Sequence, residues 1–325
     1  MPWTRPSERI HMEKRTIIVI SVVVVIIVAA LGAVLLTNNK GNSSTPEGIS
    51  ESGSTTMAEV AALWASEFKS ETGIKVTIDT PGSGTGITNF IQGKADIAQC
   101  SRAMKQSEKD QASANNINVT EWKVAVDGLA IITNKNNPVA SLSIDQLKGI
   151  YNGTITNWNQ VGGNDQSIVL YGRDSASGSY ASFKDMVLGT DNYASSMQQF
   201  NTNALIVPEV ENNVGGIGYV GVGYAKEASS QLSIVSVSKS ASSTAYSPLD
   251  KDAVYAGSVD SSAGYPLSRY LYLYTDGVPA KDSSQYKWIS FVLGTKGQEL
   301  VNDAGFYELQ PSDLTAMQNL LATAK

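Results

Sequence analysis

Three short stretches combine hydroxyls with glycines where the chain passes from a loop into a helix: Thr55-Thr56, Ser83-Gly84-Thr85-Gly86 and Ser177-Gly178-Ser179. A helix N-terminus presents unpaired N–H groups and a partial positive charge, which together make a ready anion site. Hydroxyls add donors without net charge, and glycines let the backbone come close. Arg173 adds a planar fork that can pair with two oxygens of an oxyanion at once. Each piece also has a plainer reading. Thr55-Thr56 and Ser177–Ser179 suit helix caps, Gly82–Gly86 suits a turn, and Arg173 suits a surface ion pair with Asp174. A dinucleotide loop fits less well, because the spacing is G-x-G-x-G and no acidic residue follows at a strand end about twenty positions on. No Gly-Lys-Ser/Thr follows either, so a nucleotide P-loop fails.

Composition narrows the chemistry further. The only histidine, His11, precedes the apolar N-terminal run, and the only cysteine is Cys100. A Ser-His-Asp or Cys-His catalytic set, a His-rich metal site and an intramolecular disulfide are therefore excluded from the rest of the chain. The formal net charge is −6. Setting residues 1–40 aside leaves 19 basic against 28 acidic residues, a balance of −9. Such a surface repels nucleic acid and anionic lipid at long range, but it does not forbid a small anion held by local dipoles.

The elements that must position these residues alternate between strand and helix. Met57, Val60, Ala61, Trp64 and Phe68 recur at helical spacing, Thr56 with Glu59 fits a capping box, and Gly73 supplies the stop. Ile74, Val76 and Ile78 alternate as a strand. Asp96-Ile97-Ala98 is a second short strand, with Asp96 as a turn or cap group, and a polar helix starts near Ser107. Val124–Thr133 reads as one longer strand. Past Asn134, Ser143 with Gln146 caps a helix through Tyr151, Ser167–Tyr171 is a strand, and Val214–Tyr224 is a glycine-rich buried strand. Leu271–Tyr274 is a strand and Trp288–Leu293 lies in a helix. Trp64, Trp122, Trp158 and Trp288 read as core or rim packing. This order predicts an α/β fold with a mainly parallel sheet in the first lobe.

Residues 17–36 run twenty positions without a charge, preceded by Arg5, Arg9, Lys14 and Arg15. That length suits a membrane-spanning anchor, with residues 1–16 cytoplasmic and the rest outside. A long cleaved signal, with Ala29, Gly32 and Ala33 near its cut, is the alternative. Met12 would serve as a start as well as Met1. Residues 37–47 read as a flexible tether.

Taken in order, several stretches resemble the phosphate-binding proteins of ABC-type importers, within the periplasmic-binding-protein superfamily. They are Gly53–Thr56, Gly82–Gly86, Asp96–Ala98 with Ser101-Arg102, Val124–Gly128, Gly153–Trp158, Arg173-Asp174 with Ser177–Ser179, Gly216–Tyr219, Tyr265–Arg269 and Gly297-Gln298. The likeness covers about residues 48–310. It implies a type II periplasmic-binding-protein fold, preceded by one transmembrane helix. Two lobes, 48–133 with 264–325 and 134–263, would be joined by a two-strand hinge near Val124–Asn134 and Tyr265–Tyr274. It also implies capture of inorganic phosphate between the lobes and delivery to the transmembrane subunits of an ABC permease. The expected protein is an extracytoplasmic monomer with no cofactor, metal, nucleic-acid partner or enzymatic activity.

Carried over residue by residue, the implied phosphate ligands are Thr55, Thr56 through its backbone, Ser83, Arg173, Ser177, Gly178 and Ser179, and Ser101 is expected to join them through its hydroxyl. Many relatives have Ser-Asp where this chain has Ser101-Arg102. Asp127, followed by Gly128, is expected to replace that carboxylate as acceptor of the phosphate proton, with a structural role at the hinge as the alternative. Arg102 and Asp174 are expected to stand behind the ligands, Arg102 either adding charge or anchoring Asp127. A binder of another tetrahedral oxyanion, sulfate or molybdate, is the alternative function, and an extracellular phosphatase-type enzyme a weaker one.

Overall fold

The structure, a computed structural model, describes residues 48–325. The expected cytoplasmic segment, anchor and tether, residues 1–47, lie outside the described residues. Among the described residues, no helix is long and apolar enough to cross a membrane.

The chain enters on β1 (Ile49–Gly53), and α1 (Ala58–Thr72) leads to β2 (Val76–Asp79). Helix α2 (Ser83–Ile91) then leads to β3 (Ile97–Cys100), and α3 (Gln106–Ala114) to β4 (Val119–Gly128). Helix α1 forms because Val60, Ala61, Trp64 and Phe68 stripe one face and are buried. It stops at Gly73, whose φ of 73° an L side chain resists and whose N–H closes on the Lys69 carbonyl. Strands β1, β2 and β3 pair in parallel.

A second set of elements follows. It comprises β5 (Ala130–Asn134), β6 (Ser141–Ser143), α4 (Ile144–Tyr151), β7 (Val169–Arg173) and α5 (Gly178–Phe183). Then come β8 (Gln198–Phe200), α6 (Ile206–Glu211), β9 (Gly216–Val220), α7 (Val222–Glu227), β10 (Leu232–Ser238) and β11 (Ala245–Tyr246). The chain closes with α8 (Lys251–Val259), β12 (Ser268–Asp276), α9 (Ser284–Val292), α10 (Thr295–Asp303) and α11 (Pro311–Leu321).

These elements make two sheets and hence two lobes. The first runs β2-β1-β3-β12-β4 and the second β11-β10-β5-β9-β7-β8, with β6 paired to β10. Only the β1, β2 and β3 part of the first sheet is parallel, since β12 runs antiparallel to both β3 and β4. The stretch expected as one strand, Val124–Thr133, divides between the sheets at Leu129. The break is pinned because Leu129 N–H donates to the Leu267 carbonyl and its own carbonyl accepts from Tyr265 Oη, at 2.9 and 2.8 Å.

The chain therefore leaves the first lobe before Ala130 and not after Thr133. It returns after β11, near Ser247–Asp250, and not at Tyr265–Tyr274. Helix α8 already packs its buried Ala253, Val254 and Gly257 on β4 and β12. The segment Val214–Tyr224 also differs, as its strand ends at Val220 and α7 begins at Val222.

The four described tryptophans are fully buried in the hydrophobic core, and each indole N–H finds an acceptor. Trp64 donates to the Gly297 carbonyl, Trp122 to Thr275 Oγ1 and Trp158 to the Gly215 carbonyl, at 2.7, 2.8 and 3.0 Å. Trp288 donates to Glu51 Oε2 at 2.8 Å. Glu51, a residue of β1, is buried and its Oε1 has no partner among the described residues. Burial pushes its pKa from 4.5 up to about 8, against the smaller opposing pull of the Trp288 bond.

The folded state thus keeps a proton that the unfolded chain has lost between those values. Stability from this site is full below 4.5 and falls as pH rises through about 8, at up to about 1.4 kcal/mol per pH unit. Glu51→Gln should flatten the fall in urea midpoint between pH 5 and pH 8 and raise stability at the alkaline end. Parallel wild-type and variant curves across that range would show that the carboxyl is not the cause.

Candidate functional site

The loops at the carboxyl ends of β1, β3 and β7 meet at the seam between the two lobes, where open α/β sheets gather their ligands. The first of them departs from its plain reading as a cap. Helix α1 has Met57 at its N-cap with no side-chain cap bond, so the capping box of Thr56 with Glu59 does not form. The freed Thr56 hydroxyl instead lies 2.9 Å from Ser179 Oγ and accepts from Asn203 Nδ2 at 3.3 Å, both in the second lobe. Thr55 Oγ1 accepts from Arg173 Nη2 at 2.5 Å.

Ser83 opens α2, and its buried Oγ accepts the Ser101 N–H at 3.2 Å and stands 3.4 Å from Ser101 Oγ. Across the seam, Ser177 is a true cap, its Oγ accepting from the N–H groups of Ser179 and Tyr180. Gly178 faces Ser83 and Ser101 so closely that an added Cβ would stand 2.4 Å from each hydroxyl. Gly84 N–H donates to the Ala176 carbonyl at 3.1 Å, and Ser182 Oγ donates to the Ser101 carbonyl at 3.2 Å. The lobes are closed on one another here.

Arg173, at the end of β7, is fully buried. Its Nε donates to the Phe200 carbonyl, Nη1 to Asn203 Oδ1, and Nη2 to the Asn201 carbonyl as well as to Thr55. Burial lowers its pKa from the ordinary arginine value, yet a guanidinium remains charged in a protein. Behind it, Phe183 stacks on Tyr219 at 4.3 Å, and Tyr219 Oη accepts the Arg173 N–H at 3.0 Å. Burial holds the Tyr219 phenol at about 12, so it stays protonated. Asp174 forms no ion pair with Arg173. Its Oδ1 accepts the Ala176 N–H and its carbonyl the Ser177 N–H, both at 3.1 Å, and so it shapes the turn.

Asp127 is fully buried at the end of β4, directly opposite Arg269 in the β4–β12 register. Its Oδ2 accepts from Arg269 Nε and Nη2 at 2.9 and 2.7 Å, and its Oδ1 accepts from Val222 N–H at the start of α7 at 2.8 Å. Arg269 Nη2 also donates to Ser179 Oγ at 2.9 Å. Arg102 is not the anchor of Asp127. It makes a two-point pair with Glu108 at 2.8 and 2.6 Å and thereby braces the start of α3.

The structure thus brings together Thr55, Thr56, Ser83, Ser101, Asp127, Arg173, Ser177, Gly178 and Ser179, and leaves Arg102 and Asp174 as bracing groups. Arg269 and Asn203 join the site without having been singled out. The signal for Arg269 was a lone cation in an otherwise apolar strand, which calls for a buried partner. Asn203 gave none.

A model of the PBP superfamily domain matches residues 40–295. The chain belongs to the periplasmic-binding-protein (PBP) superfamily. Among its relatives, the phosphate-binding protein PstS of Staphylococcus saprophyticus is 32% identical, over 86% of this chain and 87% of its own. The PstS of Pseudomonas aeruginosa is 29% identical, over 80% and 83%. Similar solved structures include a phosphate ABC transporter substrate-binding protein of Clostridium perfringens, determined with bound phosphate. It matches at TM-score 0.68 and 29% identity, covering 81% of this chain and all (100%) of that one. An ABC-type phosphate transport receptor of Vibrio cholerae matches at 0.64 and 29%, covering 80% and 100%.

In PBP-superfamily terms the seam is the inter-lobe cleft, and its closeness at Gly178 is testable. Gly178 does not lie at positive φ, so an alanine there is not strained by its backbone and its methyl acts only across the seam. Gly178→Ala should keep the wild-type melting behaviour within about 1 kcal/mol yet hold the lobes apart, giving a larger radius of gyration in small-angle scattering. An unchanged scattering profile would mean that the seam yields elsewhere.

Proposed function

We propose that this chain captures inorganic phosphate between its lobes on the extracytoplasmic side of a membrane and hands it to the transmembrane subunits of an ABC permease. The observation that carries this reading is the seam itself. Two buried cations, Arg173 and Arg269, and one buried carboxylate, Asp127, which pairs with Arg269, lie amid hydroxyls supplied by both lobes. Net positive charge with many small donors suits a tetrahedral oxyanion, and the PstS relatives and the phosphate-bound neighbour point to phosphate.

Thr55, Thr56, Ser83, Ser101, Ser177, Gly178 and Ser179 would supply donors by hydroxyl or backbone, with Arg173 supplying charge. The Ser177 hydroxyl caps α5, so its share comes through the backbone. Asp127 is the carboxylate of the seam, since Glu51, also buried, is tied to Trp288 in the core. Its Oδ1 carries one donor, Val222 N–H, and a carboxylate oxygen can accept a second. It can therefore take the proton of hydrogen phosphate, whereas sulfate offers no proton. The chain binds without turnover, as a monomer. Residues 48–128 with 251–325 move against residues 130–246, and residues 17–36 anchor the whole to the membrane.

Calorimetric titration of the detergent-solubilised full chain tests the reading. The wild type should bind phosphate and discriminate strongly against sulfate. Arg173→Ala should cost roughly 2–5 kcal/mol, and Asp127→Asn should weaken phosphate binding and narrow its advantage over sulfate. A wild type that binds no phosphate, or sulfate equally well, would overturn the assignment. For the anchor, the full-length protein should stay with membranes through a high-salt wash. A soluble product beginning beyond residue 30 would reveal a cleaved signal instead.

A further inference from the structure

We infer that Arg269 grips the bound oxyanion directly through Nη1, as a ligand in its own right beside its bond to Asp127. The inference rests on the phosphate reading above and adds a ligand to it. A guanidinium has five N–H donors. In Arg269 the Nε–H and the Nη2 hydrogens are committed to Asp127 Oδ2 and Ser179 Oγ. Nη1 is buried and has no hydrogen-bond partner among the described residues. A charged donor left unpaired out of water is costly, so a group held in this state is poised for an acceptor. Arg173, by contrast, has Nε, Nη1 and Nη2 all engaged by carbonyls, Asn203 and Thr55.

The place of the guanidinium at the seam follows from its neighbours. Ser179 Oγ, bonded to Arg269 Nη2, is itself 2.9 Å from Thr56 Oγ1. The Arg269 guanidinium is therefore one hydrogen bond from the point where hydroxyls of the two lobes meet. Asp127 beside it offers an acceptor, and Arg269 a donor. Hydrogen phosphate presents both complements, one P–OH and several bare oxygens. Sulfate presents only bare oxygens, so it can satisfy Arg269 but faces Asp127 without a proton between them.

A second reading gives Arg269 only the task of holding Asp127 in place, and a four-way comparison separates the two. Wild type, Asp127→Asn, Arg269→Gln and the double variant are titrated with phosphate and with sulfate as full chains, with thermal unfolding measured alongside. Arg269→Gln should lose about 10–100-fold in phosphate affinity, the worth of a hydrogen bond to a charged group. The double variant strands no buried charge and so folds even where Arg269→Gln does not. If Arg269 touches the anion, the double variant binds phosphate about tenfold or more weaker than Asp127→Asn alone. Equal affinity of those two proteins would overturn the direct contact while leaving phosphate capture intact. A wild type without phosphate affinity would instead fell the reading on which the inference stands.

Discussion

Two guanidinium groups lie out of water where the lobes meet, and the rest of the structure serves to keep them there. Burying a cation is costly unless it is paired and hydrogen-bonded. Arg173 meets that cost with neutral acceptors, the carbonyls of Phe200 and Asn201 and the side chains of Asn203 and Thr55. It therefore keeps its full charge unmatched by any carboxylate within ion-pair distance. Arg269 meets the cost with Asp127, so its charge is balanced while its fork stays fixed. One site thus holds one uncompensated positive charge and one neutral, strongly dipolar pair, within a chain whose net charge is −6.

The same bonds tie the lobes together. Thr55 with Arg173, Thr56 with Ser179 and Asn203, Asp127 with Val222, and Arg269 with Ser179 all bridge the two sheets. Backbone contacts add to them, with Gly84 donating to Ala176 over a turn in which Gly82 sits at φ 110°. Glycine serves here for two reasons, a conformation other residues resist and an approach that a methyl would block. The side chains proposed to touch an anion are thus the same ones that hold the lobes shut.

The behaviour of the hydroxyl turns shows how local and tertiary demands compete. Ser143 and Ser177 do what their sequence context asks and cap helices. Thr56 has an equally good cap signature with Glu59, yet its hydroxyl is drawn to the other lobe and α1 begins uncapped. Arg102 and Asp174 were legible as polar groups near the site, but not in their roles. Arg102 found Glu108 six residues away, and Asp174 its own turn. A local partner carries little loop-closure cost, which is why Glu108 outcompeted the more distant Asp127 as the partner of Arg102.

Sequence by itself determined the elements and the chemistry of the site. Helical spacing, strand alternation, glycine stops and clustered hydroxyls depend on neighbours a few residues apart, so they can be read without the fold. The ordered motifs carried the family and the expected ligand positions other than Asp127, which was argued from a departure at Ser101-Arg102. Tertiary structure decided the partners. Asp127 and Arg269 are 142 residues apart, and Thr56 and Ser179 are 123 apart. Only the pairing of β4 with β12 sets Arg269 opposite Asp127. Only closure of the lobes brings Ser179 to Thr56. The sheet switch at Leu129 and the buried Glu51 belong to the same class. A strand pattern tells that a residue is inside, but which residues share its surroundings is fixed by strand order and register, and these depend on contacts far apart in the chain.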